Sequence, residues 1–252
     1  MSKHLKRLVS PRMWTIPRKT QEWVVKPSAG PHPIEQGIPL LISIRDFLKI
    51  AKVSREARRI IGNGEVLVDG KVTKQYKRPL GLMDVVSIPK LNTQYRVLID
   101  ARGKITFTEI SKSESKWKLV RINNKTTVAG GQTQLNLHDG RNILLQKDKY
   151  KTGDVLKISL PDQKILTHYP FEPNNIAMLI GGNHIGEFAT IKKYEDIKNP
   201  KPNIVYFDGF STIKDYVFVV GHDKPELTIP DAKILDEVEN VTDKSEASEE
   251  VN

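Results

Sequence analysis

The stretch from Ile42 to Ile88 constrains the fold more than any other part of the sequence, because its pattern indicates two short helices, a tight hairpin and a further strand. In the first predicted helix, apolar residues recur at positions i, i+3, i+4 and i+7, which is the spacing of a buried stripe. These residues are Ile44, Phe47, Leu48 and Ala51. The cations of this segment, Arg45, Lys49 and Lys52, are therefore expected to point away from the core.

The second predicted helix has the same division between an apolar and a basic face. Ser54 is a residue type that favours the N-cap, so we expect the helix to begin there. Its inner face is supplied by Ala57, Ile60 and Ile61. Its outer face carries Arg55, Arg58 and Arg59.

The segment Val66–Val72 follows the second helix, with Asp69-Gly70 at its centre. This dipeptide between apolar residues predicts a two-residue β-hairpin. Further cations extend the basic patch past the hairpin, namely Lys71, Lys74, Lys77 and Arg78.

The net charge of +10 is unevenly distributed along the chain. From Asp231 to Asn252 there are eight acidic residues and two lysines, so residues 1–230 carry a net charge of +16. A body this basic attracts polyanions, because each neutralised phosphate releases condensed counterions. A solvated basic surface is the alternative, but cations outnumber acids on the two helices and their mutual repulsion favours an external anion. Structured RNA is the expected partner, since no predicted helix has the length that reads a DNA major groove.

The sequence contains no pattern typical of a catalytic, cofactor or metal site. The six histidines lack metal-ligand spacing, and neither a Gly-x-x-x-x-Gly-Lys-Ser/Thr loop nor a Gly-x-Ser-x-Gly elbow occurs. Gly181–Gly186 lacks the spacing of a dinucleotide loop and is interpreted as a turn that joins strands. His138-Asp139-Gly140 is also interpreted as a turn, because adjacent strand residues face opposite ways. The sequence therefore predicts a protein that is not an enzyme and has no cofactor, metal or small-molecule substrate.

Composition also predicts the compartment. Cysteine is absent, which excludes disulfides. No apolar run approaches the ~18–20 residues of a membrane span, and the basic residues near Met1 do not lead into an apolar stretch. We expect a cytoplasmic protein without a membrane partner.

Residues 1–40 are predicted to form an extended basic arm. Six prolines interrupt regular structure there, and seven cations stand against two acids. Trp14 and Trp23 are unusual in so polar a segment, and they either staple the arm to the body or stack on unpaired bases. The arm is expected to thread between RNA helices and to become ordered on binding.

The remainder of the chain has the period-two pattern of short strands. Turn signals at intervals of roughly 8–12 residues predict a central β-domain over residues 92–172. The strand pattern of residues 173–225 predicts a five-stranded barrel. Residues 226–252 contain few apolar side chains to bury and are predicted to be disordered. With the helix–helix–hairpin domain at residues 41–91, the expected fold class is α+β and mostly β.

The helix–helix–hairpin stretch resembles the S4-type RNA-binding domain, particularly at Arg55–Ile61 and Val66–Val72. Other motifs follow the order typical of one family: Lys3–Arg7 with Trp14, Gly30-Pro31-His32, Gly81–Ile88, His138–Arg141 and Gly181–Gly186. Over roughly residues 1–222 the chain is similar to the S4e family of small-subunit ribosomal proteins of archaea and eukaryotes.

The resemblance implies a central β-domain and a C-terminal SH3-like barrel of the KOW type, with Met178–Tyr194 at the KOW motif. Glu187 departs from the family pattern, since a basic residue is usual after the second glycine, and the acidic ending is also unlike the family. The implied function is a structural constituent of the small ribosomal subunit that binds 16S-type ribosomal RNA beside neighbouring ribosomal proteins and supports translation. Two alternatives use the same RNA-binding module: an RNA-modifying enzyme such as a pseudouridine synthase, and a free translation or transcription factor.

The residues predicted to contact RNA are the cations of the first third of the chain. In the N-terminal segment they are Lys3, Lys6, Arg7, Arg12, Arg18 and Lys19. On the helices they are Arg45, Lys49, Lys52, Arg55, Arg58 and Arg59, and at the hairpin they are Lys71, Lys74, Lys77 and Arg78. The expected mechanism is electrostatic docking of these cations on phosphates, combined with shape.

Overall fold

The computed structural model describes residues 4–196, 201–222 and 224–227, and its regular structure is mostly strand with a few short helices. The predicted class, α+β and mostly β, is confirmed at this level. Of the predicted disordered tail, residues 228–252 lie outside the described residues. Leu227 belongs to the body of the protein, because its side chain is buried in the C-terminal core.

The N-terminal segment packs against the body. Its elements are β1 (Leu5–Lys6), a 3-10 turn (Arg7–Val9), β2 (Trp23–Val24) and β3 (Ile38–Pro39), and β1 pairs with β2. Trp14 is 2% exposed, and its Nε1 donates a hydrogen bond to the Gly37 carbonyl at 2.9 Å. The N-terminal segment is therefore anchored to the body at Trp14, and its threading between RNA helices stays a prediction. Trp14 packs in the core and fixes the segment to the body, so it is not available to stack on an unpaired base.

The two predicted helices are present, but the first is shorter than its apolar spacing indicates. The helix α1 (Leu40–Ile42) continues into one π-helical turn (Ser43–Phe47), and α2 covers Ser54–Gly62. Lys49 adopts a positive φ of 54°, which ends the helical path. The predicted continuation to Ala51 and Lys52 is wrong, and Ala51 reaches the core from the loop instead.

The hairpin and the strands after it form one antiparallel sheet of five strands in the order β5-β4-β7-β8-β9, while β6 pairs with β3. The strands are β4 (Leu67–Val68), β5 (Lys71–Val72), β6 (Pro79–Leu80), β7 (Val85–Ile88), β8 (Thr93–Ile99) and β9 (Ile105–Glu109). Asp69 and Gly70 have φ values of 52° and 75°, as a two-residue hairpin turn requires, so the predicted hairpin is confirmed. Since β8 pairs with β7, this sheet continues across the domain boundary predicted between residues 91 and 92.

A second five-stranded sheet follows, in the order β12-β11-β10-β13-β14. Its strands are β10 (Trp117–Thr127), β11 (Thr133–Leu137), β12 (Asn142–Leu145), β13 (Val155–Ser159) and β14 (Ile165–Tyr169). All neighbours pair antiparallel, and β10 is bulged between Ile122 and Asn124. These strands lie in the region where the period-two pattern predicts short strands.

The C-terminal strands form two sheets of three strands, β16-β15-β20 and β17-β18-β19. They are β15 (Ile176–Leu179), β16 (Phe188–Thr190), β17 (Lys193–Glu195), β18 (Ile204–Tyr206), β19 (Ser211–Ile213) and β20 (Val217–Gly221). The core between them includes Leu98 of β8 and Leu119 of β10, so both five-stranded sheets also contribute to it. Closure of these strands into a barrel stays a prediction.

Gly186 illustrates why the glycine-rich tract is a turn between strands. Its φ is +82°, and a Cβ there would overlap the carbonyl oxygen of Asp100. We expect Gly186→Ala to lower the free energy of unfolding by about 2–4 kcal/mol, because a left-handed backbone and a backbone clash both oppose it. Gly209→Ala is the matched control, since Gly209 has a φ of +78° but open space where a Cβ would lie. Equal losses in chemical denaturation would contradict this account.

Candidate nucleic-acid interface

The helix α2 presents cations to solvent because its opposite side is fixed in the core. Ala57 and Ile61 are fully buried, whereas Arg55, Arg58 and Arg59 are exposed. Among the described residues these three arginines form no ion pair. Exposed guanidinium groups on one face of a helix can bind successive phosphates, and their contact with RNA stays a prediction.

The loop before α2 adds two exposed lysines, Lys49 and Lys52. The Lys52 amide donates a hydrogen bond to the Glu56 carboxylate at 2.9 Å. This acid therefore satisfies a backbone donor at the helix start and leaves the lysine ammonium groups facing solvent.

Arg45 differs from its prediction. Its side chain is only 16% exposed, and its guanidinium donates to both carboxylate oxygens of Asp46, at 3.0 and 2.6 Å. It also donates to Ser54 Oγ. Ser54 makes no capping hydrogen bond, so its predicted N-cap role is wrong as well. Arg45 fixes the loop against α2 and has few donors left for an external phosphate.

The N-terminal cations divide into two groups. Arg7 is 4% exposed and donates to the Pro17 carbonyl. Arg18 donates to the carbonyls of Ser10 and Pro11 at 2.7 and 2.8 Å. Both therefore hold the segment in its folded path and are less available for an external phosphate than their prediction assumes. Of the others, Lys6, Arg12 and Lys19 are exposed, and Lys3 lies outside the described residues.

The hairpin cations lie on the same domain as α2 but differ in exposure. Lys71 and Lys74 are exposed, whereas Lys77 and Arg78 are half-buried. The Arg58 guanidinium lies 4.6 Å from the centre of the Tyr76 ring, which connects α2 to the segment after the hairpin through a cation–π contact.

Two basic grooves flank the start of α2. One has a volume of about 750 Å³ and is lined by Lys49, Lys52 and Gln21 among others. The other has a volume of about 450 Å³ and is lined by Trp23, Arg58, Tyr76 and Lys77 among others. The N-terminal segment forms one wall of each groove, so it shapes the surface around the basic helix.

A buried ionic cluster, which the sequence interpretation missed, joins the N-terminal segment, the first sheet and the central sheet. Lys118 of β10 is fully buried, and its Nζ lies 2.9 Å from Asp69 Oδ2, 3.0 Å from Asp84 Oδ1 and 2.6 Å from Asp139 Oδ2. Two further residues complete the cluster: Arg141 contacts Asp69 and Asp139, and His32 Nε2 lies 2.9 Å from Asp84 Oδ2. We call these six residues the Lys118 cluster.

Burial and charge act in opposite directions on the groups of the Lys118 cluster. Burial alone would lower the pKa of Lys118, but the three carboxylates raise it above its ordinary value. Burial opposes ionisation of Asp84 and Asp139 too, yet Lys118 holds the pKa of each below its usual range. For Asp69, burial prevails and the pKa is raised. The ammonium group of Lys118 therefore keeps the carboxyl groups of Asp84 and Asp139 ionised despite their burial.

His138 lies beside this cluster, in the turn predicted at His138-Asp139-Gly140. Its Nδ1 accepts a hydrogen bond from the Arg121 amide at 3.1 Å, and its Nε2 lies 3.2 Å from the Leu82 carbonyl. The side chains of His138 and Asp139 thus have separate partners, which supports the turn interpretation over a catalytic pair. Burial lowers the pKa of His138 to about 4.

This histidine predicts acid sensitivity. Between pH 6.5 and about 4 the unfolded chain binds a proton at His138 that the folded chain does not, so stability is lost as the pH falls. The expected contribution is about 3 kcal/mol over this window. His138→Gln should flatten the dependence of the unfolding free energy on pH, measured by urea denaturation across it. An unchanged slope would show that His138 does not titrate in this way.

The comparisons with known proteins agree with this geometry. The S4 domain matches residues 47–86, the RS4NT domain residues 1–35 and the ribosomal family S4e residues 91–165. The small ribosomal subunit protein eS4 of Methanothermobacter thermautotrophicus is 49% identical over 236 residues, which cover 92% of this chain and 97% of that protein. The eS4 protein of Methanocaldococcus jannaschii is 47% identical over 240 residues, covering 90% and 97%. The crystal structure of the 30S ribosomal protein S4e from Thermoplasma acidophilum matches with a TM-score of 0.67 and 38% identity, covering 74% of this chain and 96% of that chain.

The helix pair, the hairpin and the domain match define a protein that contains an S4 domain. The chain belongs to the ribosomal S4e family, because relatives in that family are nearly half identical to it over about nine-tenths of its length. This is a family of ribosomal proteins and not of enzymes. Among the described residues no helix is both long and apolar enough to cross a membrane.

Proposed function

We propose that the chain is a structural component of the small ribosomal subunit that binds 16S-type ribosomal RNA through the exposed basic face of α2. The observation that carries the proposal is the row formed by Arg55, Arg58 and Arg59, which is fixed by a buried opposite face and lacks ion-pair partners among the described residues. Such a surface favours a ligand with regularly spaced negative charges.

The proposed interface contains fewer cations than the sequence analysis predicted. It consists of Lys49, Lys52, Arg55, Arg58 and Arg59 around α2, Lys71, Lys74, Lys77 and Arg78 at the hairpin, and Lys6, Arg12 and Lys19 in the N-terminal segment. Arg7 is left out because it is buried, and Arg18 and Arg45 are left out because they donate several hydrogen bonds within the chain.

The remaining parts of the chain are proposed to support this interface. We assign residues 92–172 to a central β-domain and residues 173–225 to an SH3-like barrel of the KOW type, for which the two sheets of three strands provide support. These parts are proposed to contact neighbouring small-subunit proteins or RNA. The proposed location is the cytoplasmic ribosome, where the protein supports translation.

Sedimentation of a native lysate at low salt tests the proposal. We expect the protein to co-sediment with small subunits and to leave them only at high salt, since charge contacts hold it there. Protein that remains mostly free, or that joins the subunit only transiently, would contradict a structural role. Such results would instead favour a free factor or an RNA-modifying enzyme.

A further inference from the structure

Trp23 is the exposed counterpart of the buried Trp14. It is 48% exposed on β2, directly opposite Lys6 of β1 in the strand register. His4 precedes β1, and its ring centre lies 5.5 Å from that of Trp23. The β1–β2 ribbon therefore displays a large aromatic ring beside a cation.

The ring lines the groove of about 450 Å³ that separates this ribbon from α2. On the facing wall, the Arg58 guanidinium lies 4.6 Å from the centre of the Tyr76 ring, and Lys77 Nζ lies 5.7 Å from the same centre. The groove is thus lined by the Trp23 ring and Lys26 on the ribbon side, and by Arg58 and Lys77 on the facing wall.

This combination distinguishes the groove from the rest of the basic surface. Lysine and arginine alone bind phosphates of any RNA form, and a base inside a duplex shows no free face. A half-exposed tryptophan offers a stacking surface only to a base that has left its helix. Phosphates on either side of such a base would then contact Lys6, Arg58 and Lys77.

We propose that this groove holds an unpaired nucleotide of RNA, with its base stacked on Trp23. The inference rests on the proposed function, because it assumes that α2 faces RNA, and it adds the form of RNA at this point: a bulge, a loop or a strand end.

The test compares full-length Trp23→Leu and Trp23→Phe with the unchanged protein. The probes are a single-stranded oligoadenylate and an RNA duplex of equal length, measured by fluorescence anisotropy at low salt. We expect Trp23→Leu to weaken single-strand binding about tenfold or more, and Trp23→Phe to retain most of it. Duplex binding should change little. Tyr194→Leu is the control, because it removes another exposed aromatic ring, 37% exposed, from the C-terminal part.

The outcomes separate this inference from the proposed function. An equal loss for both probes, or no loss, would overturn stacking while leaving phosphate binding by α2 in place. Unchanged RNA binding with lost incorporation into small subunits would assign Trp23 to a protein contact and would also overturn it. If the unchanged protein binds neither probe, the proposed function fails together with the inference.

Discussion

Replacing Lys118 with methionine is expected to lower the free energy of unfolding by about 3–5 kcal/mol, the cost typical of breaking a buried ion pair on one side. Methionine fills a similar volume but leaves the carboxylates of Asp69, Asp84 and Asp139 buried without their shared ammonium group. Asp69 and Asp84 adjoin strands of the first five-stranded sheet, whereas Lys118 lies in β10 of the second and Asp139 lies in its β11–β12 turn. We therefore expect the two five-stranded sheets to lose stability together. Thermal denaturation followed by circular dichroism measures the effect.

Lys157→Met is the matched control for Lys118→Met. Lys157 is 20% exposed and pairs with Glu226, which is 32% exposed, so its loss is expected to cost only about 1 kcal/mol. Adding Asp139→Asn to Lys118→Met removes one of the three buried carboxylate charges, which then outnumber the remaining cations of the cluster, and should recover part of the stability. If Lys118→Met costs no more than Lys157→Met, the Lys118 cluster does not hold the sheets together.

Replacing Arg55, Arg58 and Arg59 with alanine is expected to weaken binding to small-subunit ribosomal RNA on the order of 100-fold near physiological salt. Each phosphate contact contributes a slope of about 0.7–0.9 to the dependence of log K on log salt, so the slope should fall by about 2–3. Alanine preserves helix propensity, and Ala57 and Ile61 keep α2 in place. Filter binding across a salt series measures both quantities.

The control for this triple variant removes the same charge from another part of the surface. Lys147, Lys149 and Lys151 are exposed in the loop after β12, and their replacement with alanine lowers the net charge equally. We expect a smaller loss of affinity from this variant. Equal losses would show that binding follows total charge and not the face of α2.

Local patterns predicted the strands and the second helix because their causes are local. The period-two alternation predicted short strands within residues 92–172, and Asp69-Gly70 located the hairpin. The first helix was less predictable, since the apolar spacing through Ala51 is the same whether the residue arrives on a helix or, after the turn at Lys49, on a loop.

The proposed RNA-binding residues were predictable only on α2, where the buried face of the helix determines which side chains are exposed. The face of α2 is set by Ala57 and Ile61, so Arg55 and Arg59 could be placed outside. In contrast, Arg7 and Arg18 donate hydrogen bonds to carbonyl groups several residues away along the chain, and no spacing rule identifies such partners.

One signal of the Lys118 cluster was available in the sequence. Lys118 precedes Val120 and Ile122 in a period-two register, which places a lysine on the inward face of β10. A buried lysine needs a carboxylate partner, and the chain offers Asp69 and Asp139 at predicted turns and Asp84 in the Gly81–Ile88 motif. Which of them would meet Lys118 depends on how the two sheets pack, and periodicity does not contain that information.

Mapping RNA–protein crosslinks to individual residues within native small subunits tests the central claim most directly. We predict crosslinks at the face of α2 and the adjoining grooves, with Arg55, Arg58, Lys52 and Trp23 among the modified residues. Small subunits that contain the protein but yield crosslinks only to the central and C-terminal strands would contradict the claim.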